Sequence, residues 1–223
     1  MQRAQKKAVA LECLPAYTLG EELFNAISHG VGALLSVIGL IAMIMAAAQT
    51  GAMLRVACAV IYGTALFVLY SMSTLYHSLR GRAKRVMRVC DHCSIFILIA
   101  GTYTPYTLIL LPQSVGLKLL IAIWACAVLG ITLTVVNLER FKKVSFVCYI
   151  GMGWAVIFAI GPLARAIAPA GLQLMIAGGV AYMLGLGFYA WKRYRYMHSV
   201  WHLFVLAGSA AHFVSIFFYV IPS

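Results

Sequence analysis

Charge is what this chain has least of. Only 10% of its 223 residues are Asp, Glu, Lys or Arg, and Asp91 is the single aspartate among five acidic residues. A soluble domain carries roughly 25% charged and roughly 45–50% apolar residues. Here 64% are apolar and the mean hydropathy is +0.96. Those values exclude a water-soluble globular domain and leave an integral membrane protein. Internal repeats and low-complexity tracts are missing too. The connections between apolar runs are too short to hold an extramembrane domain. No short apolar core with a small-residue cleavage site follows Arg3, Lys6 and Lys7, so no cleavable signal peptide is expected. The cysteines, at 13, 58, 90, 93, 126 and 148, are scattered and partly within apolar runs, which argues against a disulfide framework.

What the chain does have is apolar length. A helix crossing about 30 Å of hydrocarbon needs about 20 mainly apolar residues. Seven runs qualify, at 27–48, 56–77, 91–111, 117–137, 145–165, 171–191 and 199–221. The expected fold is an all-α integral membrane protein with seven transmembrane helices. Residues 1–26 form an N-terminal segment ahead of a 27–221 membrane domain. The net charge of +12 then reads as an orientation signal rather than a nucleic-acid footprint. Arg3, Lys6, Lys7, the group Arg80, Arg82, Lys84, Arg85 and Arg88, then Arg140, Lys142, Lys143, Lys192, Arg193 and Arg195 fall on one side. Arg55, Lys118 and Arg165 fall on the other. The positive-inside rule puts the N-terminus in the cytoplasm and the C-terminus outside, in the cell inner (plasma) membrane. The Arg80–Arg88 loop can also attract anionic lipid headgroups. Glycines and prolines in the third, fifth and sixth runs read as packing and kinking residues.

Ionisable groups at membrane depth are costly and usually mark a functional site. There are six histidines: His29, His77, His92, His198, His202 and His212. The orientation, which uses no histidine, places His77 at the cytoplasmic end of the second run. Asp91 opens the third run and His198 and His202 the seventh, in the same layer. His198 and His202 are four apart, hence on one helical face. Three imidazoles with an open fourth position suit a catalytic Zn²⁺. Asp91 can accept a hydrogen bond from zinc-bound water and act as base, or it can ligate the metal directly. Ser73, four before His77, can support the site, touch substrate, or bond the carbonyl four residues back. Cys90 and Cys93 are read as incidental, and His92 as facing a different neighbour. His212 lies about 15 Å deeper than His202 and is read as a buried hydrogen-bonding group. His29, with Glu22 and Asn25, is expected to cover the mouth of the site or cap the first helix.

These residues carry a resemblance. Ser73 to His77 (STLYH), Asp91, and His198 to His202 (HSVWH) resemble the SxxxH, D and HxxxH signature of a membrane superfamily. It joins hemolysin III proteins, the progestin and adiponectin receptors, and alkaline ceramidases. Glu22 to Gly30 (ELFNAISHG) is similar to the segment that opens the first helix in hemolysin III and receptor members. Asp91 to Pro105 (DHCSIFILIAGTYTP) is similar to the bacterial hemolysin III version. The resemblance implies zinc on His77, His198 and His202, with Asp91 meeting a metal-bound water. It also implies metal-dependent hydrolysis of a lipid, with ceramide-type amide cleavage in some branches. Bacterial members have been named for haemolysis and linked to steady membrane fluidity or energetics. Three functions are therefore carried forward: a zinc-dependent lipid amide or ester hydrolase serving membrane homeostasis, a lipid-state sensor with structural zinc, and a cytolytic membrane protein. The expected partner is a membrane lipid, not a nucleic acid.

Overall fold

The computed structural model describes residues 14–191 and 193–223. Arg3, Lys6, Lys7, Cys13 and Lys192, used in the readings above, lie outside the described residues. Among the described residues every regular element is helical. Helix α1 spans Leu19–Gln49, α2 Met53–Ser78, α3 Gly81–Pro105, α4 Gln113–Trp154, α5 Ile160–Ala166, α6 Pro169–Ala190 and α7 Met197–Ser215. Wider π turns extend α3 through Tyr106–Leu110 and α7 through Ile216–Val220. The first follows Pro105, which lacks the N–H a regular turn would use.

Two helices, α1 and α3, begin eight or more residues before their apolar runs. The backbone of α1 starts at Leu19 because Thr18 and Glu21 form a reciprocal capping box, which satisfies two otherwise unpaired N–H groups. Its first turns are polar but face inward, with Glu21, Asn25 and His29 all buried. Helix α3 starts at Gly81, ahead of the run at 91–111. The basic stretch expected as a loop is therefore mostly helix, and only Leu79 and Arg80 connect α2 to α3. Lysine and arginine are good helix formers. Lys84 and Arg88, one turn apart, reach Glu22 of α1 at 2.8 Å and Glu139 at 2.7 Å.

Among the described residues, six helical stretches are long and apolar enough to cross a membrane. One of them, Gln113–Ala166, has 54 residues and covers two of the runs read from the sequence. A straight α4 of 42 residues would measure about 63 Å, twice the roughly 30 Å of hydrocarbon. It is not straight. Asn137 leaves the helical conformation at φ −164° and ψ 94°. The hydroxyls of Thr134 and Ser145 meet at 3.2 Å, although eleven residues of unbroken helix would hold them about 16 Å apart. The chain folds back at Asn137, whose Oδ1 accepts from the Arg140 N–H at 2.9 Å and so starts the second arm. Ala127 of the first arm and Tyr149 and Met152 of the second share a core with Phe96 of α3.

The contacts define two ends of the bundle. At one, the start of α1, the end of α2, and the starts of α3 and α7 meet through Glu22, His77, Lys84 and His198. At the other, Arg55 of α2 donates to the Ile221 carbonyl at 2.7 Å. There too, Tyr106 donates to Ser215, which donates to the Gly171 carbonyl. Between the ends, small residues on α1 let its neighbours close in. A Cβ at Gly32 would lie 2.7 Å from the Tyr70 ring, and one at Gly39 2.7 Å from Phe213. Outward-facing Leu23, Ile27, Leu34, Ile38, Ile41 and Met45 leave an apolar surface on α1. Such a surface fits lipid as its solvent.

Candidate metal centre

The centre is built where three helix ends converge. His77 lies in the last turn of α2. His198 and His202 open α7, one turn apart on the face turned to α1 and α2. Helix α7 enters through Tyr196, whose left-handed φ of 63° turns the chain into the helix. Its N–H donates to Glu21 Oε1 at 2.8 Å, so the start of α7 is fastened to the start of α1.

The three imidazoles present the same atom to one point. His198 Nε2 is 3.3 Å from His77 Nε2 and 3.1 Å from His202 Nε2. Tetrahedral ligands about 2.0–2.1 Å from a Zn²⁺ ion are separated by about 3.3 Å from one another, so the donor set fits such an ion. Electronic preparation agrees with the spacing. The Nδ1 of His77 donates to Glu22 Oε2 at 2.7 Å, which leaves the lone pair on Nε2, facing the cluster. Carboxylates placed in this way fix the tautomer of metal-binding histidines and raise their basicity. Glu22 is itself fixed by Lys84, whose ammonium also donates to the Tyr76 carbonyl at 2.9 Å and lies 4.6 Å from the Tyr76 ring centre. His77 and His202 are buried.

Aromatic rings wall the cluster. Tyr17, just ahead of α1, stacks on His198 with centroids 5.0 Å apart and lies 5.7 Å from His77. Burial pushes its phenol well above the usual tyrosine range. His29 stacks on His202 at 3.7 Å. Neither of its ring nitrogens has a hydrogen-bond partner among the described residues, nor do the side-chain atoms of the buried Asn25 beside it.

The structure groups His77, His198 and His202 as one set of potential ligands. Asp91 and Ser73 stand apart from that set, on the wall of a cavity of about 620 Å³ that His29, His198 and His202 also line. His92 is outside the grouped set, with its Nδ1 2.8 Å from the Arg88 carbonyl and 3.6 Å from Asp91 Oδ2. Cys90 and Cys93 are free thiols and are not among the grouped ligands. The cavity runs inward past Ile95, Leu98, Ile99 and Val205 to His212. It opens sideways between α6 and the tight turn Ala155–Ala159 that follows α4, where Ile157, Val180 and Leu184 line it while each remains at least half exposed. Glu22, Lys84 and Tyr17 are the residues the sequence reading left without their role. The first stood in a quoted motif. The other two had no local signal, because the contacts of Tyr17 to the histidines and of Lys84 to Glu22 exist only in the folded bundle.

A family model described as "Haemolysin-III related" matches residues 17–213. The chain is 43% identical to Hemolysin-3 of Bacillus cereus over 204 residues, covering 91% of this chain and 93% of the relative. It is 40% identical to the Hemolysin-3 homolog of Bacillus subtilis (strain 168), covering 91% and 96% respectively. The monocyte to macrophage differentiation factor of Homo sapiens is 27% identical over 170 residues, covering 73% of this chain and 70% of that protein.

Proposed function

This chain belongs to the haemolysin-III-related family, and from that premise we propose that it is a zinc-binding membrane protein that hydrolyses a lipid amide or ester in the service of membrane homeostasis. The observation that carries the reading is the convergence of three Nε2 atoms, with neighbours 3.1 and 3.3 Å apart, at the head of an apolar cavity open to the side. Counting the two arms of the Gln113–Ala166 stretch separately gives seven spans. The described basic residues gather at the histidine end, apart from Arg55, Lys118 and Arg165. By the positive-inside rule that end faces the cytoplasm of the inner membrane, and the N-terminus with it.

In this reading His77, His198 and His202 hold a Zn²⁺ ion, which supplies a Lewis acid for the scissile carbonyl and acidifies water near neutral pH. Glu22 keeps His77 in the tautomer that can ligate. Asp91 takes the proton from the attacking water and returns it to the leaving amine or alcohol, and Ser73 orients the Asp91 carboxylate. The apolar walls bind the acyl chain and draw it in from the bilayer through the gap beside α6. A sensor with a structural metal differs in one residue's role, that of Asp91. Asp91→Asn is expected to keep about one zinc per chain, by metal analysis of purified protein, and to lose hydrolysis of ceramide-like or acyl-lipid substrates. If a zinc-loaded wild type releases no fatty acid across such a panel and a range of pH, the hydrolase reading is wrong.

A further inference from the structure

The deep end of the cavity is not apolar. His212 sits ten residues beyond His202 on α7, about 15 Å deeper by helical rise, and it too lines the cavity. It is only 8% exposed, and its Nδ1 has no hydrogen-bond partner among the described residues. The ring is held in place from two sides. Tyr182 of α6 stacks on it at 5.5 Å, and Tyr106 of the α3 extension meets it edge-on at 6.4 Å. Space for it is cleared by Gly178, where a Cβ would lie 2.6 Å from the imidazole. The two phenols have taken up nearby hydroxyls, Tyr182 with Ser209 at 2.9 Å and Tyr106 with Ser215 at 2.8 Å. The imidazole has not. A polar side chain this deeply buried is normally hydrogen-bonded, and leaving it unpaired in an apolar surrounding is costly.

We propose that His212, braced by Tyr182 and Tyr106, is a second polar subsite, and that the cavity takes a lipid chain bearing an uncharged hydroxyl or carbonyl far from its reacting carbonyl. The two ends of the cavity hold polar groups at a fixed separation, with Ile95, Leu98, Ile99, Met175 and Val205 among the apolar side chains lining the cavity. A plain alkyl chain leaves the imidazole unpaired, whereas an oxygenated chain of matching length satisfies it. The C–C bond length gives about 1.25 Å of reach per bond in an extended chain, so about twelve bonds span the 15 Å. The proposal takes from the hydrolase reading only that the cavity receives a lipid chain, and its test reads binding alone.

The probes are dodecanamide and ω-hydroxydodecanamide, competed against a fluorescent acyl probe bound to the full chain in nanodiscs. The hydroxylated amide is expected to bind about fivefold more tightly, the worth of one net hydrogen bond. That preference should vanish in His212→Leu and shrink in Tyr182→Phe, with zinc content and thermal unfolding reporting whether each variant is folded. Equal binding of the two amides to the wild type, no binding of either, or a preference surviving in both variants would overturn the proposal. Absence of lipid hydrolysis beside an intact hydroxyl preference would strike the hydrolase reading and leave this one standing.

Discussion

A single carboxylate decides how His77 can be used. Glu22 reaches it from 55 residues away in the chain, across the gap between α1 and α2. Removing such a partner typically costs 10–100-fold in metal affinity. Glu22→Gln is therefore expected to weaken zinc binding by about that factor, measured by competition with a chelator of known affinity, while the helical fold persists. His202→Ala removes a proposed ligand outright: about one zinc per chain is expected in the wild type and none in this variant, read by metal analysis. The three histidines were legible in the sequence because two stand four apart and the charge pattern sets the third in their layer. The partner of His77 was not. Glu22 carries a quotable motif, but a motif does not say which of two neighbouring carboxylates turns inward to a ligand and which caps the helix. Glu21 caps α1 and holds Tyr196; Glu22 holds His77.

Among the helices, α4 shows how far apolar patterning reaches. Its two runs were visible as separate lengths of apolar sequence around the polar stretch Asn137–Lys143. The fold-back at a single non-helical residue was not visible, since no glycine or proline marks it. Asn137 acts there as the cap of the second arm. Asn137→Ala is expected to cost about 1 kcal/mol of stability, measured by denaturant unfolding in detergent, with Asn137→Asp spared. Two glycines of the same hairpin offer a contrast. A Cβ at Gly130 would lie 2.2 Å from Phe96, whereas one at Gly151 would meet nothing within 4 Å. Gly130→Ala is expected to destabilise by about 1–3 kcal/mol through overpacking, and Gly151→Ala to be neutral in the same unfolding assay. The starts of α1 and α3 escaped the sequence reading for a different reason. Hydropathy finds the part of a helix that needs lipid, while caps and helix-forming basic residues carry the backbone helix beyond it.

For the whole molecule, the segregation of basic residues to one end makes a prediction about sidedness. In a variant stripped of native cysteines, a cysteine at Lys142 should react with an impermeant reagent only from the cytoplasmic side, and one at Arg165 only from the other. Labelling of both from one side would overturn the proposed orientation and the seven-span count together. The same architecture imposes an order in time. His77 and His198 are 121 residues apart, and the ligands they supply belong to the second and the last of the long helices. At about 5–20 residues per second of synthesis, His77 is made on the order of ten seconds before its partners exist. During that interval neither of the other two grouped histidines has been synthesised. On the proposed zinc reading, the full set can capture the ion only when α7 lies beside α1, so loading would follow the insertion of that last long helix. A chain stalled or truncated before Met197 would have most of the long helices but lack two of the three grouped histidines.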